Sequence, residues 1–197
     1  LPITDALMFA HRPAVARVLF ACLASLAAFA AQAQRSLDFE PYAVPREGAV
    51  AVTLPRDAAP SAAFAEVDAI AGGALARAVA NAGFLGDRGT LLNLHGVGPY
   101  TQVIVIGTGT DAPSPRLLED IGGLVGQAGV LSAAPRIDVL WPEASLPAAG
   151  AHLALGVELG QFTFRQYRNP KPGQPVLGQG SAVLRTADAD ASRSAWA

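Results

Sequence analysis

Val103-Ile104-Val105-Ile106-Gly107-Thr108-Gly109 is the stretch whose reading decides the fold. Four β-branched apolar residues in succession describe a strand buried on both faces, the habit of an α/β sheet. The Gly-x-Gly that follows closes it in a turn. Upstream, Phe64, Val67, Ala71, Ala74, Leu75, Ala78 and Ala82 recur at intervals of three and four, one face of a helix. Gly72 and Gly73 interrupt it at about 1 kcal/mol each relative to alanine, which points to a close approach to another backbone. Downstream, Ser114 offers an N-cap and Pro115 a first helical residue for a helix through Leu117, Leu118, Ile121, Leu124 and Val125. Helices on either side in sequence imply helices over the strand in space.

The other elements follow outward from this centre. Ala49 to Leu54 reads as a first strand, stopped by Pro55, and Pro60-Ser61 offers an N-cap for the helix after it. Leu91 to His95 and Gln102 to Ile106 flank a tight connection and pair as a hairpin. Gly83 is placed to cap the first helical stretch. Arg136 to Trp141 reads as a further strand, ended by Pro142. Pro147 then opens a helix with Leu153, Val157 and Gly160 down one side and Gly156 beside them for close packing. Ala182 to Arg185 is a short last strand. Asp188 to Ala197 begins a polar helix with neither a cap nor a partner in view, so Trp196 reads as an exposed interface residue. The order describes an α/β domain with a mixed sheet flanked by helices.

The chain has 197 residues and a formal net charge of -2, enough for one domain with appendages. With a pI near 5.9 it lacks the basic footprint of a nucleic-acid binder. Val18 to Ala31 is apolar, follows His11, Arg12 and Arg17, and ends in Ala31-Gln32-Ala33. A basic start, a short apolar run and an Ala-x-Ala site describe a secretory signal peptide cut after Ala33. Met8, the single methionine, is the expected start of translation. The run is too short for a membrane span. The expected compartment is periplasmic or secreted, with the cytoplasm as the alternative. Cys22, the single cysteine, falls within the apolar run, so the mature domain has no thiol chemistry. The expected organisation is 1–33 leader with a possible upstream extension, 34–48 extended lead-in, 49–185 folded domain, and 186–197 the start of a linker helix.

Candidate sites are few. Gly107-Thr108-Gly109-Thr110-Asp111-Ala112 matches G-x-G-x-x-A after a strand. Pro113 and Pro115 delay the helix that should hold a pyrophosphate, and no acidic residue ends a strand about 20 positions on. A strand-end turn is the favoured reading. His11, His95 and His152 have no His, Cys or carboxylate at ligand spacing, so they read as structural. No G-x-S-x-G elbow occurs, and Gly180-Ser181 lies in a loop. Arg165, Tyr167, Arg168 and Lys171 form a small basic cluster, read as aromatic anchors with solvated cations.

Two segments carry a family resemblance. The first runs from Gly72-Gly73-Ala74-Leu75-Ala76-Arg77 through Gly83-Phe84-Leu85-Gly86 and Gly89 to the Val103–Gly109 strand; the second is Ala154 to Arg168. Together they resemble the amino-terminal domain of the leucyl aminopeptidase (cytosol aminopeptidase) family, over roughly Gly48 to Ala197. The resemblance implies a macro-like α/β fold ahead of a larger catalytic domain holding two divalent metals, zinc or manganese, in enzymes that form hexamers. The family's lysine, aspartate and glutamate motifs lie in that second domain. None occurs here, and Lys171 is the one lysine. No catalytic, cofactor-binding or metal residue carries over, so the chain is expected to be non-catalytic. The alternatives are a stand-alone binding module for ADP-ribose or another nucleotide and a degenerate assembly subunit. Thr108 stands where the family commonly has leucine, and an apparent signal peptide is unusual for a family known mostly as cytosolic.

Overall fold

The computed structural model describes residues 35–162 and 178–197, all within the compact unit Gln34–Ala197. Residues 1–34, with His11 and Cys22, and the cluster Arg165, Tyr167, Arg168 and Lys171 lie outside the described residues. Six strands form one sheet: β1 (Ser36–Pro41), β2 (Gly48–Pro55), β3 (Leu91–Val97), β4 (Tyr100–Gly109), β5 (Arg136–Trp141) and β6 (Ser181–Thr186). Their spatial order is β1-β6-β5-β2-β4-β3, and every neighbouring pair is parallel except the β3–β4 hairpin. The expected mixed sheet is present. It has one strand more than the sequence shows, because β1 lies inside what reads as lead-in. Its Ser-Leu-Asp-Phe-Glu-Pro has weak strand character, and pairing with β6 from Ser36↔Ser181 to Pro41↔Thr186 stabilises it.

Alternation along the strands divides the core in two. Val50 and Val52 of β2, with Val103 and Val105 of β4, face α1 (Ala62–Ile70) and α2 (Ala74–Asn81). Ala49, Ala51, Ile104 and Ile106 face the opposite way. There they pack with Ile137, Val139 and Trp141 of β5 against α3 (Pro115–Val130) and α4 (Ala149–Gln161). β4 is therefore buried on both sides, as its β-branched run demands.

The glycine pair Gly72-Gly73 breaks the first helical stretch into α1 and α2, and not by close backbone approach. Both residues are left-handed, φ 61° and 76°, and a Cβ on Gly72 would meet nothing within 4 Å. Gly72 N–H donates to Ala69 O and Gly73 N–H to Asp68 O, the paired bonds of a Schellman stop. α2 ends in the same way at Gly83, φ 63°. The N-caps are those the sequence indicates: Ser61 accepts from Phe64 N–H and Ser114 from Leu117 N–H, each at 3.2 Å.

α3 and α4 touch backbone to backbone. A Cβ on Gly122 would collide with the Leu153 carbonyl, on Gly126 with that of Val157, on Gly156 with that of Glu119, and on Gly160 with that of Gly123. The last helix, α5 (Ala189–Trp196), does have a partner, contrary to the sequence reading. Gly150 N–H of α4 donates to Ser192 Oγ at 3.0 Å, and Ser192 is fully buried. Trp196 is half-buried, not exposed, with its ring 6.4 Å from that of Phe39.

Candidate functional site

The Gly107 turn is filled by the chain itself. Gly107 N–H donates to Thr90 O and Gly109 N–H to Gly86 O, both at 2.9 Å, while Gly107 O accepts from Gly89 N–H at 3.2 Å. A Cβ on Gly107 would strike the Asp87 carbonyl and the Thr90 hydroxyl, so the 86–90 loop lies directly across it. A phosphate at Gly107 would find the Gly107 and Gly109 amides already engaged and the space above Gly107 filled. Around the loop, Arg56 pairs with Asp87, and Arg88 with Asp111 at 2.6 Å and Asp120 at 2.8 Å. Hydrogen bonds to these carboxylates hold both guanidiniums more firmly protonated than usual. Asp111 and Asp120 stand near the start of α3, where a bound anion would need positive potential.

Two of the three histidines, His95 and His152, fall within the described residues. His95 is exposed on edge strand β3, and His152 on α4 faces Glu119 of α3 with Nδ1 3.1 Å from Oε1. Ser181 is the first residue of β6, its N–H donating to Pro135 O at 2.9 Å.

A group that the sequence reading misses lies across β1, β6 and β5. Arg136 and Asp138 alternate on one face of β5, and Arg185 of β6 and Glu40 of β1 are register partners beside them. Asp138 accepts from Arg136 Nη2 at 2.7 Å and from Arg185 Nε at 2.6 Å. Glu40 lies 3.1 Å from Arg136 Nη2 and 2.9 Å from Arg185 Nη2. Two cations and two anions alternate in a closed ring. The Asp138 carboxylate is almost fully covered, and its bonds to Arg136 hold that guanidinium firmly charged. The ring walls a cavity of about 600 Å³ where β2, β4 and β5 begin, with Glu47, Pro99 and Pro135 on its other sides. The alternation Arg-x-Asp in an apolar strand is the signal that could have found half of it.

Where β1 and β5 end, Tyr42 Oη and Glu143 Oε2 are buried without hydrogen-bond partners. Burial, then the charge of Glu66, pushes the Tyr42 phenol well above its ordinary range, and burial pushes the Glu143 carboxyl up. Among the described residues no three His, Cys, Asp or Glu side chains stand together as metal donors. The carboxylates of the ring are each spent on arginine. These residues do not fit the two-metal centre that the resemblance implies for a full-length enzyme.

The fold and its sites thus define an α/β domain built on a mixed sheet, crossed on one face by the closed ring of Glu40, Arg136, Asp138 and Arg185. The chain belongs to the cytosol aminopeptidase family: the model of that family's N-terminal domain matches residues 49–171, well over half of the chain. Among solved structures, a mutant of tomato leucine aminopeptidase matches at 22% identity with a TM-score of 0.62, over 80% of this chain and 34% of that one. The bottromycin maturation enzyme BotP matches at 16% identity and a TM-score of 0.51, over 74% of this chain and 28% of that one. At these identities the likeness shows the shared fold. The chain spans about a third of the length of these proteins. No curated protein matches it.

Proposed function

We propose that this chain is the non-catalytic amino-terminal domain of an exported leucyl aminopeptidase, a metallo-exopeptidase that removes amino-terminal residues from peptides. The observation that carries the reading is the family match over residues 49–171. It is supported by the share of tomato leucine aminopeptidase that the chain leaves uncovered, room for a separate catalytic domain. In this reading the two metals and the chemistry belong to that domain, and this one serves folding and assembly of a homo-oligomer. Leu155 and Leu159 project from α4 one turn apart as exposed apolar residues, with Phe162 exposed just past the helix end, a patch that suits assembly. The basic, apolar and Ala-x-Ala pattern of residues 11–33 supports export.

The test is hydrolysis of leucine p-nitroanilide by the purified chain with zinc or manganese added, beside calorimetry with ADP-ribose. No hydrolysis above buffer and no heat at millimolar ligand are expected. Metal-dependent turnover by this chain would refute the non-catalytic reading. Saturable ADP-ribose binding would favour the nucleotide module, against which the occupied Gly107 and Gly109 amides stand.

A further inference from the structure

Arg35 is the first of the described residues, and it is held through every polar group. Its N–H donates to Gln161 Oε1 at 2.9 Å and its carbonyl accepts from Gln161 Nε2 at 3.3 Å, so one side chain of α4 clamps both sides of the residue. Its guanidinium donates to Ala134 O at 2.7 Å, Ser132 O at 3.1 Å and Gly129 O at 3.3 Å, and the residue is only 4% exposed. The nitrogen of Arg35 must therefore remain an amide. If it were a chain terminus, an ammonium would have to be buried against Gln161, at a cost of several kcal/mol. The compact unit begins one residue earlier, at Gln34. The fold thus sets the last tolerable position for a mature terminus at Gln34, and the Ala31-Gln32-Ala33 pattern independently places a cut at the same bond.

We propose that the chain is cut between Ala33 and Gln34 and that the new amino-terminal Gln34 closes into pyroglutamate, an inference that rests on the export reading above. The freed α-amine attacks the δ-carboxamide carbon of its own side chain. The new C–N bond closes a five-membered lactam, the bond from that carbon to the amide nitrogen breaks, and the amine's proton leaves with it as ammonia. No oxidant, reductant or second reactant is needed. The product has no free α-amine. Its terminus is closed to enzymes that recognise a free peptide amino terminus, the class to which this chain's own family belongs.

The experiment is to express the whole chain with its own leader in an exporting bacterial host, recover it from the periplasm, and measure intact mass and Edman sequence beside Gln34→Ala. The expected wild-type product has the mass of residues 34–197 less one ammonia. It gives no Edman signal until pyroglutamyl peptidase is added, after which Arg35-Ser36-Leu37 is read. The variant is cut at the same bond and reads Ala-Arg-Ser directly. A wild-type product with the full mass of residues 34–197 and a readable Gln34 overturns the cyclisation and leaves export standing. A cut elsewhere, such as after Ala30, overturns the proposal. A chain that keeps its leader overturns both the proposal and the export reading.

Discussion

Arg35 shows how much of a junction one buried cation can organise. The partners of its guanidinium are backbone carbonyls: Gly129 O at the end of α3, where the helix dipole places partial negative charge, and Ser132 O and Ala134 O in the turn before β5. Burial draws its pKa below the ordinary value, yet three carbonyl oxygens hold the charge in place. Arg35→Ala leaves those oxygens and a cavity behind, and is expected to cost about 3 kcal/mol in urea unfolding. Arg35→Lys should recover little, because one ammonium cannot reproduce the planar fork of donors. A loss under about 1 kcal/mol for the alanine variant would mean that the junction is held by something else. Nothing in the sequence marks this residue. The carbonyls it reaches lie 94 to 99 positions away, beyond any local pattern.

The α3–α4 pair makes the corresponding case for elements. Helical glycine is unfavourable in isolation, so Gly122, Gly123 and Gly126 look like weaknesses in α3 until its neighbour is known. Gly156 and Gly160 are easier to read, because they flank the apolar side of α4. Contact between the two backbones separates these glycines into kinds. Gly156→Ala drives a methyl into the Glu119 carbonyl, and is expected to destabilise by about 2 kcal/mol despite its better helix propensity. Gly123→Ala meets nothing nearer than 3.8 Å, and should be neutral or stabilising by up to about 1 kcal/mol. Thermal melts of the two variants side by side decide the matter. Equal effects would show that propensity, not the close approach, governs this interface.

At the scale of the whole molecule, the two cores share a single sheet, and neither can lose its strands without exposing the other. The chain should therefore unfold in one cooperative transition. Trp141 and Trp196 belong to the side covered by α3, α4 and α5, whereas far-ultraviolet circular dichroism reports on helices of both sides. Midpoints in urea from the two probes are expected to coincide, and separated midpoints would mean that the layers unfold independently. Local chemistry determined most of the element list: β-branched runs made the buried strands, Ser61 and Ser114 the helix starts, Gly83 a helix stop. The resemblance to the aminopeptidase family was equally legible, because it rests on residue order and spacing. Tertiary structure alone decided the rest. Edge strand β1 exists through its pairing with β6, α5 is covered because β1 and α4 offer it a surface, and the ring of Glu40, Arg136, Asp138 and Arg185 closes only when three strands meet. The physical reason is common to all of them: a residue's type limits what it can bond to, but the partners that satisfy a buried charge or an edge strand are brought to it by the chain's return from far away in sequence.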